Sequence, residues 1–491
     1  MRARSSRFFA LWWLALAVAL PLGAADPFDA VRASIRKQLV ETEVPSLAVA
    51  VARDGKILWE EGFGWADREK RLPASEHTMY SLASISKPIT ATGLMVLVEA
   101  GKVDLDRPVN DYLGGAKLRA RVGDAAQATV RRVANHSSGL PLHYQFFYAD
   151  EPYRPLSMDE TILRYGNLVT LPGEKYQYSN LGFGVLDYVI ARISGRSYPD
   201  FMREEVFLRL GLTRTSVHIG PGLEPYQAIR YGPDGLPIPF YEFDHTGASA
   251  IYASAHDLVR FGMFHLKARL PDQKAILSDA AIDQMQKPTM STGPNAGYGI
   301  GWAVNDTRTG YHVVSHSGGM GGVATSLRLI PSEKLAVVVL SNSGTGLPHR
   351  IADEILAALL PKWKVDRTPP QEPPAKPFQP PPELIGSWEG ELYTYKGELP
   401  LTLRVLESGD VHARLGSQLR TLLNDMRWQD GYLSGRMTGD IGTEDANRRP
   451  YLLDLTLKLR GAALNGPASA VSLPGRRAGN ALTQWVELKK Q

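Results

Sequence analysis

The sequence predicts an α+β protein in two parts: an antiparallel sheet with helices on its faces, then a small C-terminal antiparallel β-barrel-like domain. Three observations lead there. Strand-like and helix-like runs mix before residue 363, with strands at both ends of that stretch and helices between them. A proline-rich segment, TPPQEPPAKPFQPPPE from Thr368 to Glu383, then interrupts the chain; it suits an extended spacer better than a helix or sheet interior. Beyond it the apolar pattern has a period of two and no helical period. At 491 residues the chain is too long for one ordinary core. The expected units are residues 1–25 as a signal peptide, 26–363 as the larger domain, 364–383 as the linker and 384–491 as the β-rich domain.

The N-terminus carries Arg2, Arg4 and Arg7, an apolar stretch from Phe8 to Leu22, and the small residues Gly23, Ala24 and Ala25. This is the layout of a secretory signal, so an exported, periplasmic or extracellular protein is expected, with an uncleaved membrane anchor as the other reading. Cleavage after Ala25 removes three arginines and takes the formal charge from +4 to +1, so no basic patch points to nucleic acid. Next, VRASIRKQLVETE reads as an exposed amphipathic helix, and SLAVAVARDGKILWEEGFG as a hairpin turning at Asp54 and Gly55. Helices are expected at about 87 to 100, 181 to 194 and 254 to 267, the last opening with Ser254 and Asp257 spaced as a capping box. HVVSHSGGMGGVATSLRLIP and KLAVVVLSN read as neighbouring strands, and HRIADEILAALL as a closing helix. After the linker, PYLLDLTLKLRG alternates Leu453, Leu455 and Leu457 with Asp454, Thr456 and Lys458; LTLRVL and WVELKK do the same over shorter runs. No cysteine is present, so disulfides, a lipidated-cysteine anchor and thiolate chemistry are excluded. The histidines lie scattered with no His-Glu-x-x-His pair, so no catalytic zinc is expected.

Three short stretches can carry chemistry. In SLASISKPIT, Ser84 stands three residues before Lys87, ahead of the apolar run Ile89 to Val98 that Gly101 is placed to end. Pro88 fits only a first helical turn, which sets Ser84 at the start of a buried helix with Lys87 one turn on. A buried lysine loses basicity and can take the proton of a serine nucleophile; the plainer reading is a helix cap with a solvated neighbour. Ser34 and Lys37 have the same spacing in a polar setting. In YQYSNLGFG, Tyr178 can act as a base beside Lys87 and Asn180 can hold a substrate carbonyl, or the two can be a packed turn tyrosine and a helix-capping asparagine; Tyr165 to Asn167 repeat the pattern. In HSGGMGG, His316 and Ser317 run into glycines on what reads as an edge strand, where backbone N–H groups can bind an oxyanion. The alternative is a glycine-rich turn with an exposed histidine, and His245 to Gly247 offer the same tripeptide as a decoy.

Taken in order, Ser-x-x-Lys, Tyr-Ser-Asn and His-x-Gly resemble the serine β-lactamase and penicillin-binding protein superfamily, in its class C branch with esterase and D-aminopeptidase relatives. GKVDLDRPVNDYL, NHSSGLP, FLRLGLTRTSV, SAHDLVRFG and YGIGW extend the resemblance over about residues 30 to 360. It implies a β-lactamase/transpeptidase-like fold for the larger domain. It also implies Ser84 as nucleophile, Lys87 as its proton partner, Tyr178 as general base, and Asn180, His316, Ser317 and Gly318 along the substrate. The main-chain N–H groups of Ser84 and Gly319 would form the oxyanion hole. LIGSWEGEL, through Gly386, Trp388 and Gly390, resembles the first strand of the lipocalin-like domains that follow some serine hydrolases.

The class C pattern has a lysine where this chain has His316, whose ordinary pKa of about 6.5 leaves it mostly neutral at pH 7. A fixed charge for a substrate carboxylate is thereby lost or made pH-dependent. The expected function is therefore an exported serine hydrolase that cleaves an ester or amide bond in a small molecule or peptide through an acyl-enzyme on Ser84, chemistry that needs no cofactor. The alternatives are a class C-like β-lactamase or D-Ala-D-Ala carboxypeptidase, and a non-catalytic protein that binds peptidoglycan peptides. The sequence leaves the oligomeric state open.

Overall fold

The computed structural model describes residues 26–307, 310–364 and 377–491. The signal-peptide reading and most of the proline-rich linker lie outside these residues. The larger part is built on a nine-stranded antiparallel sheet. Its strands, in chain order, are β1 (Ser46–Arg53), β2 (Lys56–Asp67), β3 (Leu72–Pro73), β4 (Met290–Gly293), β5 (Ala296–Tyr298), β6 (Ala303–Asp306), β7 (His312–Met320), β8 (Val323–Ile330) and β9 (Leu335–Ser341). In space they run β4-β5-β6-β7-β8-β9-β1-β2-β3, so the two ends of this part of the chain meet at the β9–β1 pair, Val49 opposite Val339.

Both faces of the central strands are covered. Along β1 the side chains alternate: Leu47, Val49 and Val51 join one core, Ala48, Ala50 and Ala52 the other. The first core receives Val31 and Ile35 from α1 (Asp29–Glu41) and Ile351 and Ile355 from α5 (Leu347–Leu359). The second is larger and holds α2 (Ser86–Glu99), α3 (Asn180–Ser194) and α4 (Ala255–His265). Small alanines on that side of β1 let α4 approach, whereas each Val or Ile on the other side contributes about 1.5–3 kcal/mol of burial.

Local chemistry explains the element ends. Asp54 and Gly55 both take positive φ, +50° and +76°, the backbone a two-residue hairpin turn needs. Gly101, at φ +67°, ends α2, and the next N–H, of Lys102, closes on Leu97 O at 2.9 Å. At α4 the capping box is only half formed. Ser254 Oγ accepts the Asp257 N–H at 3.1 Å, but the Asp257 carboxylate turns away to accept from the Arg214 N–H at 2.6 Å and the Thr215 hydroxyl at 2.8 Å. The tertiary partners outcompete the local one.

The C-terminal part is a second nine-stranded antiparallel sheet, barrel-like and nearly closed. Its strands are β10 (Gly386–Thr394), β11 (Gly397–Val405), β12 (Val411–Leu415), β13 (Thr421–Leu422), β14 (Asn424–Gln429), β15 (Tyr432–Met437), β16 (Tyr451–Arg460), β17 (Ala463–Ser472) and β18 (Ala481–Lys490), in the order β13-β12-β11-β10-β18-β17-β16-β15-β14. Leu453, Leu455 and Leu457 of β16 point into its core, as the alternation predicts. This sheet docks on the larger part through polar contacts. Asp445, buried, accepts from the Tyr165 and Tyr395 hydroxyls and ion-pairs with Arg164 at 3.5 Å. Tyr165, which begins the decoy Tyr-Gly-Asn, is thus an inter-sheet anchor.

Candidate active site

Ser84 does not sit in the first turn of α2 itself. It occupies a 3-10 turn, Ala83–Ile85, that runs into the helix at Ser86. Ala83 holds φ +47°, a left-handed conformation that an alanine adopts at a cost of about 1–3 kcal/mol and that surrounding structure must enforce. The enforcement is visible. The Leu82 N–H donates to Ile251 O at 2.9 Å, Thr325 Oγ1 donates to Leu82 O at 3.0 Å, and Gly318 packs so closely that a Cβ there would meet Leu82 O at 2.1 Å.

Lys87 is completely buried beneath Ser84. Its Nζ lies 3.0 Å from Ser84 Oγ, 2.8 Å from Asn180 Oδ1 and 3.1 Å from Ala248 O. Burial holds its pKa well below the ordinary lysine value. A neutral amine has two N–H groups and one lone pair. The carbonyl oxygens of Asn180 and Ala248 can only accept; once the amine is neutral they take both N–H groups and the lone pair is left for the Ser84 O–H, whereas a protonated amine donates to all three oxygens. The solvated-neighbour reading of this lysine does not describe it. That reading fits Lys37, which is exposed and paired with Glu41 at 3.7 Å.

The capping role in Tyr-Ser-Asn falls to the serine: Ser179 Oγ accepts the Gly182 N–H at 3.0 Å, which frees Asn180 for Lys87. Tyr178 places its ring centre 4.7 Å from Lys87 Nζ. Burial raises its phenol above the ordinary value, and the Ser84 hydroxyl, its hydrogen-bond partner, pulls in the other direction. Beneath it, His136 stacks against Tyr178 with centroids 4.4 Å apart and accepts the Ser179 N–H on Nδ1 at 3.1 Å. His136 thus touches both Tyr178 and Ser179, and the sequence offered it only inside the phrase NHSSGLP.

His316 is buried on β7, and that strand is an edge over only part of its length. Residues 312–315 pair with β6; from His316 to Met320 only β8 is bonded to it, because β6 begins at Ala303, opposite Ser315. The exposed-histidine reading fails. His316 Nδ1 lies 2.7 Å from Ser317 O, which can only accept, so Nδ1 carries the proton and Nε2 accepts from the Tyr298 hydroxyl at 2.8 Å. Burial pushes its pKa down to about 3. The imidazole is neutral, not a pH-dependent cation near neutrality.

A cavity of about 430 Å³ gathers Ser84, Tyr178, Asn180 and Gly319, and its remaining walls include Leu142, Tyr144, Phe146, Phe243 and Met320. No lysine or arginine lines it among the described residues. His316 and Ser317 line a second cavity of about 480 Å³ that shares the Tyr178 wall; Gly318 is buried against the Ser84 turn. Two contributors escaped sequence reasoning. One is the C-terminal part: Ala478 and Gly479 close the cavity, held by Asn480 Oδ1, which accepts the Phe146 N–H at 3.0 Å, and by the Tyr144–Ala481 backbone pair. The other is His245, whose His-Thr-Gly reads as a decoy in sequence but whose imidazole stands in the cavity wall. The signal for it is the adjacent Asp244, a carboxylate that can orient a ring.

A serine beside a buried lysine, with a tyrosine and a glycine of the neighbouring strand in the same cavity, is the arrangement of a serine hydrolase. A Beta-lactamase family model matches residues 31–362, and the chain belongs to that family. Among curated relatives, Penicillin-binding protein 4* of Bacillus subtilis is 28% identical over 60% of this chain and 67% of its own length. The Unguisins hydrolase of Aspergillus campestris is 29% identical over 68% of this chain and 66% of its own. The chain thus spans about two thirds of the length of these relatives. Among solved structures, an octameric penicillin-binding protein homologue from Pyrococcus abyssi aligns with a TM-score of 0.60 at 22% identity, over 93% of this chain and 99% of its own. A class C β-lactamase aligns at 0.59 and 20% identity, over 68% and 96%. The β-lactamase/transpeptidase fold expected from the sequence is the one observed.

Proposed function

We propose that this protein hydrolyses ester or amide bonds of substrates with an uncharged, apolar acyl group, through an acyl-enzyme on Ser84. One observation carries the reading: the two acceptors that use up the N–H groups of Lys87 leave its lone pair for Ser84. Ser84 attacks the carbonyl carbon as its proton passes to Lys87; the proton then reaches the leaving group through Tyr178, and the backbone N–H groups of Ser84 and Gly319 face the oxyanion. Water releases the acid. The apolar lining and the neutral His316 favour an esterase, peptidase or amidase over a β-lactamase or D-Ala-D-Ala carboxypeptidase, whose substrates present a carboxylate. A curated relative named as an unguisins hydrolase supports the hydrolase reading. We also propose export, on the Arg2-Arg4-Arg7 and Phe8 to Leu22 pattern.

Intact-mass analysis of the mature chain and of Ser84→Ala, each with a fluorophosphonate, tests the nucleophile: the adduct is expected on the first and absent from the second. Turnover of p-nitrophenyl esters, a D-aminoacyl amide and a chromogenic cephalosporin then tests the substrate. Turnover of the cephalosporin alone would reverse the preference, and no adduct with any reagent would turn the reading to a binding protein.

A further inference from the structure

We propose that His245, oriented by a buried Asp244–His143 pair, is the general base for the water that releases the acyl group; this rests on the acyl-enzyme reading above. Asp244 is fully buried and accepts two hydrogen bonds, from His245 Nδ1 at 2.7 Å on Oδ1 and from His143 Nε2 at 2.7 Å on Oδ2. The first fixes the His245 tautomer with the proton on Nδ1, so Nε2 carries the lone pair. His143 is as deeply buried as Asp244, and its Nδ1 has no partner, which leaves Nε2 as its donor.

The position is also fixed. His245 opens the short helix Thr246–Ser249, and two carbonyls of that helix bind α2: Ala248 O accepts from Lys87, and Gly247 O accepts from Thr90 Oγ1 at 2.6 Å. The loop that carries His245 is therefore tied to the helix that carries the nucleophile's base.

Position decides between His245 and Lys87. Lys87 lies beneath Ser84 and does not line the cavity from which water reaches an acyl carbonyl. Apart from the weakly acidic hydroxyls of Ser84 and Ser249, three described residues in that wall can exchange a proton: Tyr144, Tyr178 and His245. Burial keeps both phenols protonated, and the Tyr178 hydroxyl is already the hydrogen-bond partner of Ser84, which leaves His245 as the group free to accept from water. Burial draws His245 down against the opposing pull of Asp244, so its imidazole is in the base form near neutral pH. In the step, the water oxygen bonds to the acyl carbon and one water proton goes to His245 Nε2. The C–O bond to Ser84 then breaks, Ser84 Oγ takes a proton from the Tyr178–Lys87 pair, and His245 returns its proton to that pair through solvent, which leaves the free acid and the resting enzyme. His245 is the catalytic residue of this step; Asp244 and His143 position it.

The test is rapid-mix kinetics of a p-nitrophenyl ester with full-length wild type and His245→Gln, with intact-mass sampling of Ser84. Wild type should turn over without a lasting adduct. His245→Gln should keep a nitrophenol burst of about one equivalent at a rate within about threefold, then slow at least about 100-fold in steady state with the acyl group held on Ser84. Added imidazole should restore part of that rate. Asp244→Asn, which keeps the shape but favours the wrong tautomer, should give the same burst with a smaller slowing. Equal slowing of burst and steady state in His245→Gln, or no change in either, would overturn the assignment. So would a His245→Gln chain that no longer reacts with a fluorophosphonate, because the residue would then serve the fold of the site. Absence of any Ser84 adduct in the wild type would instead remove the acyl-enzyme reading itself.

Discussion

Substitution of His265 by glutamine should remove about one proton from those taken up when the protein unfolds near pH 5. His265 ends α4 fully buried, its ring 4.6 Å from that of Phe261 and 5.0 Å from that of Trp302, centroid to centroid. Thr92 Oγ1 spends its hydrogen on Pro88 O at 2.8 Å, so it accepts from His265 Nε2 at 2.9 Å, and Nδ1 is left buried without a partner. Protonation would place an unpaired charge there, and burial pushes the pKa down to about 3. In the unfolded chain the ring titrates near 6.5. Between those values the unfolded state holds the extra proton, so stability falls as pH drops, by about 1.4 kcal/mol per unit and about 2.5 kcal/mol from pH 6 to pH 4. Glutamine keeps an N–H for Thr92 and cannot titrate. His265→Gln should lose about 1 kcal/mol at pH 7 from imperfect packing and be the more stable protein at pH 4. Calorimetry in buffers of different ionisation enthalpy reads the uptake directly. An uptake at pH 5 that is the same in both proteins would refute the assignment of a neutral, unpaired Nδ1.

Three further outcomes follow from the site and its surroundings. Because burial lowers Lys87 and raises Tyr178, kcat/KM for an uncharged ester should rise as Lys87 loses its proton, far below the ordinary lysine value, and stay level past pH 10; a pH–rate profile that begins to rise only near pH 10 would contradict it. Gly318→Ala, whose Cβ would meet Leu82 O at 2.1 Å and Thr325 Oγ1 at 2.4 Å, should cost about 1–3 kcal/mol in chemical denaturation and abolish fluorophosphonate labelling by displacing the Ser84 turn. Asn480→Ala deletes the acceptor of the Phe146 N–H and should cost about 1–3 kcal/mol, with KM for apolar esters rising more than kcat falls, since it loosens the wall made by the C-terminal part and leaves Ser84 and Lys87 in place.

What could be read in advance, and what could not, follows from the range of the forces involved. The Asp54–Gly55 hairpin, the glycine stop of α2 and the alternation of β16 are set by neighbours within a few residues, and periodicity reports them directly. The Ser84–Lys87 spacing was legible for the same reason, since both residues belong to one helix start. The decoys mark the limit. Lys37 has the spacing of Lys87 but lies on an exposed face, and only burial separates a solvated ammonium from an amine that can accept a proton. Tyr165 repeats the start of Tyr-x-Asn, yet its hydroxyl answers to Asp445, 280 residues away. His245 repeats His-x-Gly, and its relevance to Ser84 comes from a helix–helix contact and from a loop of the C-terminal part that makes the same cavity wall. In each case the residue's protonation state, more than its identity, decides its use, and that state is set by contacts between elements far apart in the chain. The same reasoning separates His316 from the lysine the resemblance led one to look for. A lysine side chain placed there would bring its charge to a wall where Tyr298 offers a hydroxyl and Lys87 is already near. The histidine instead accepts from Tyr298, donates to Ser317 and stays neutral, which is the feature of the strand on which the proposed preference for uncharged substrates rests.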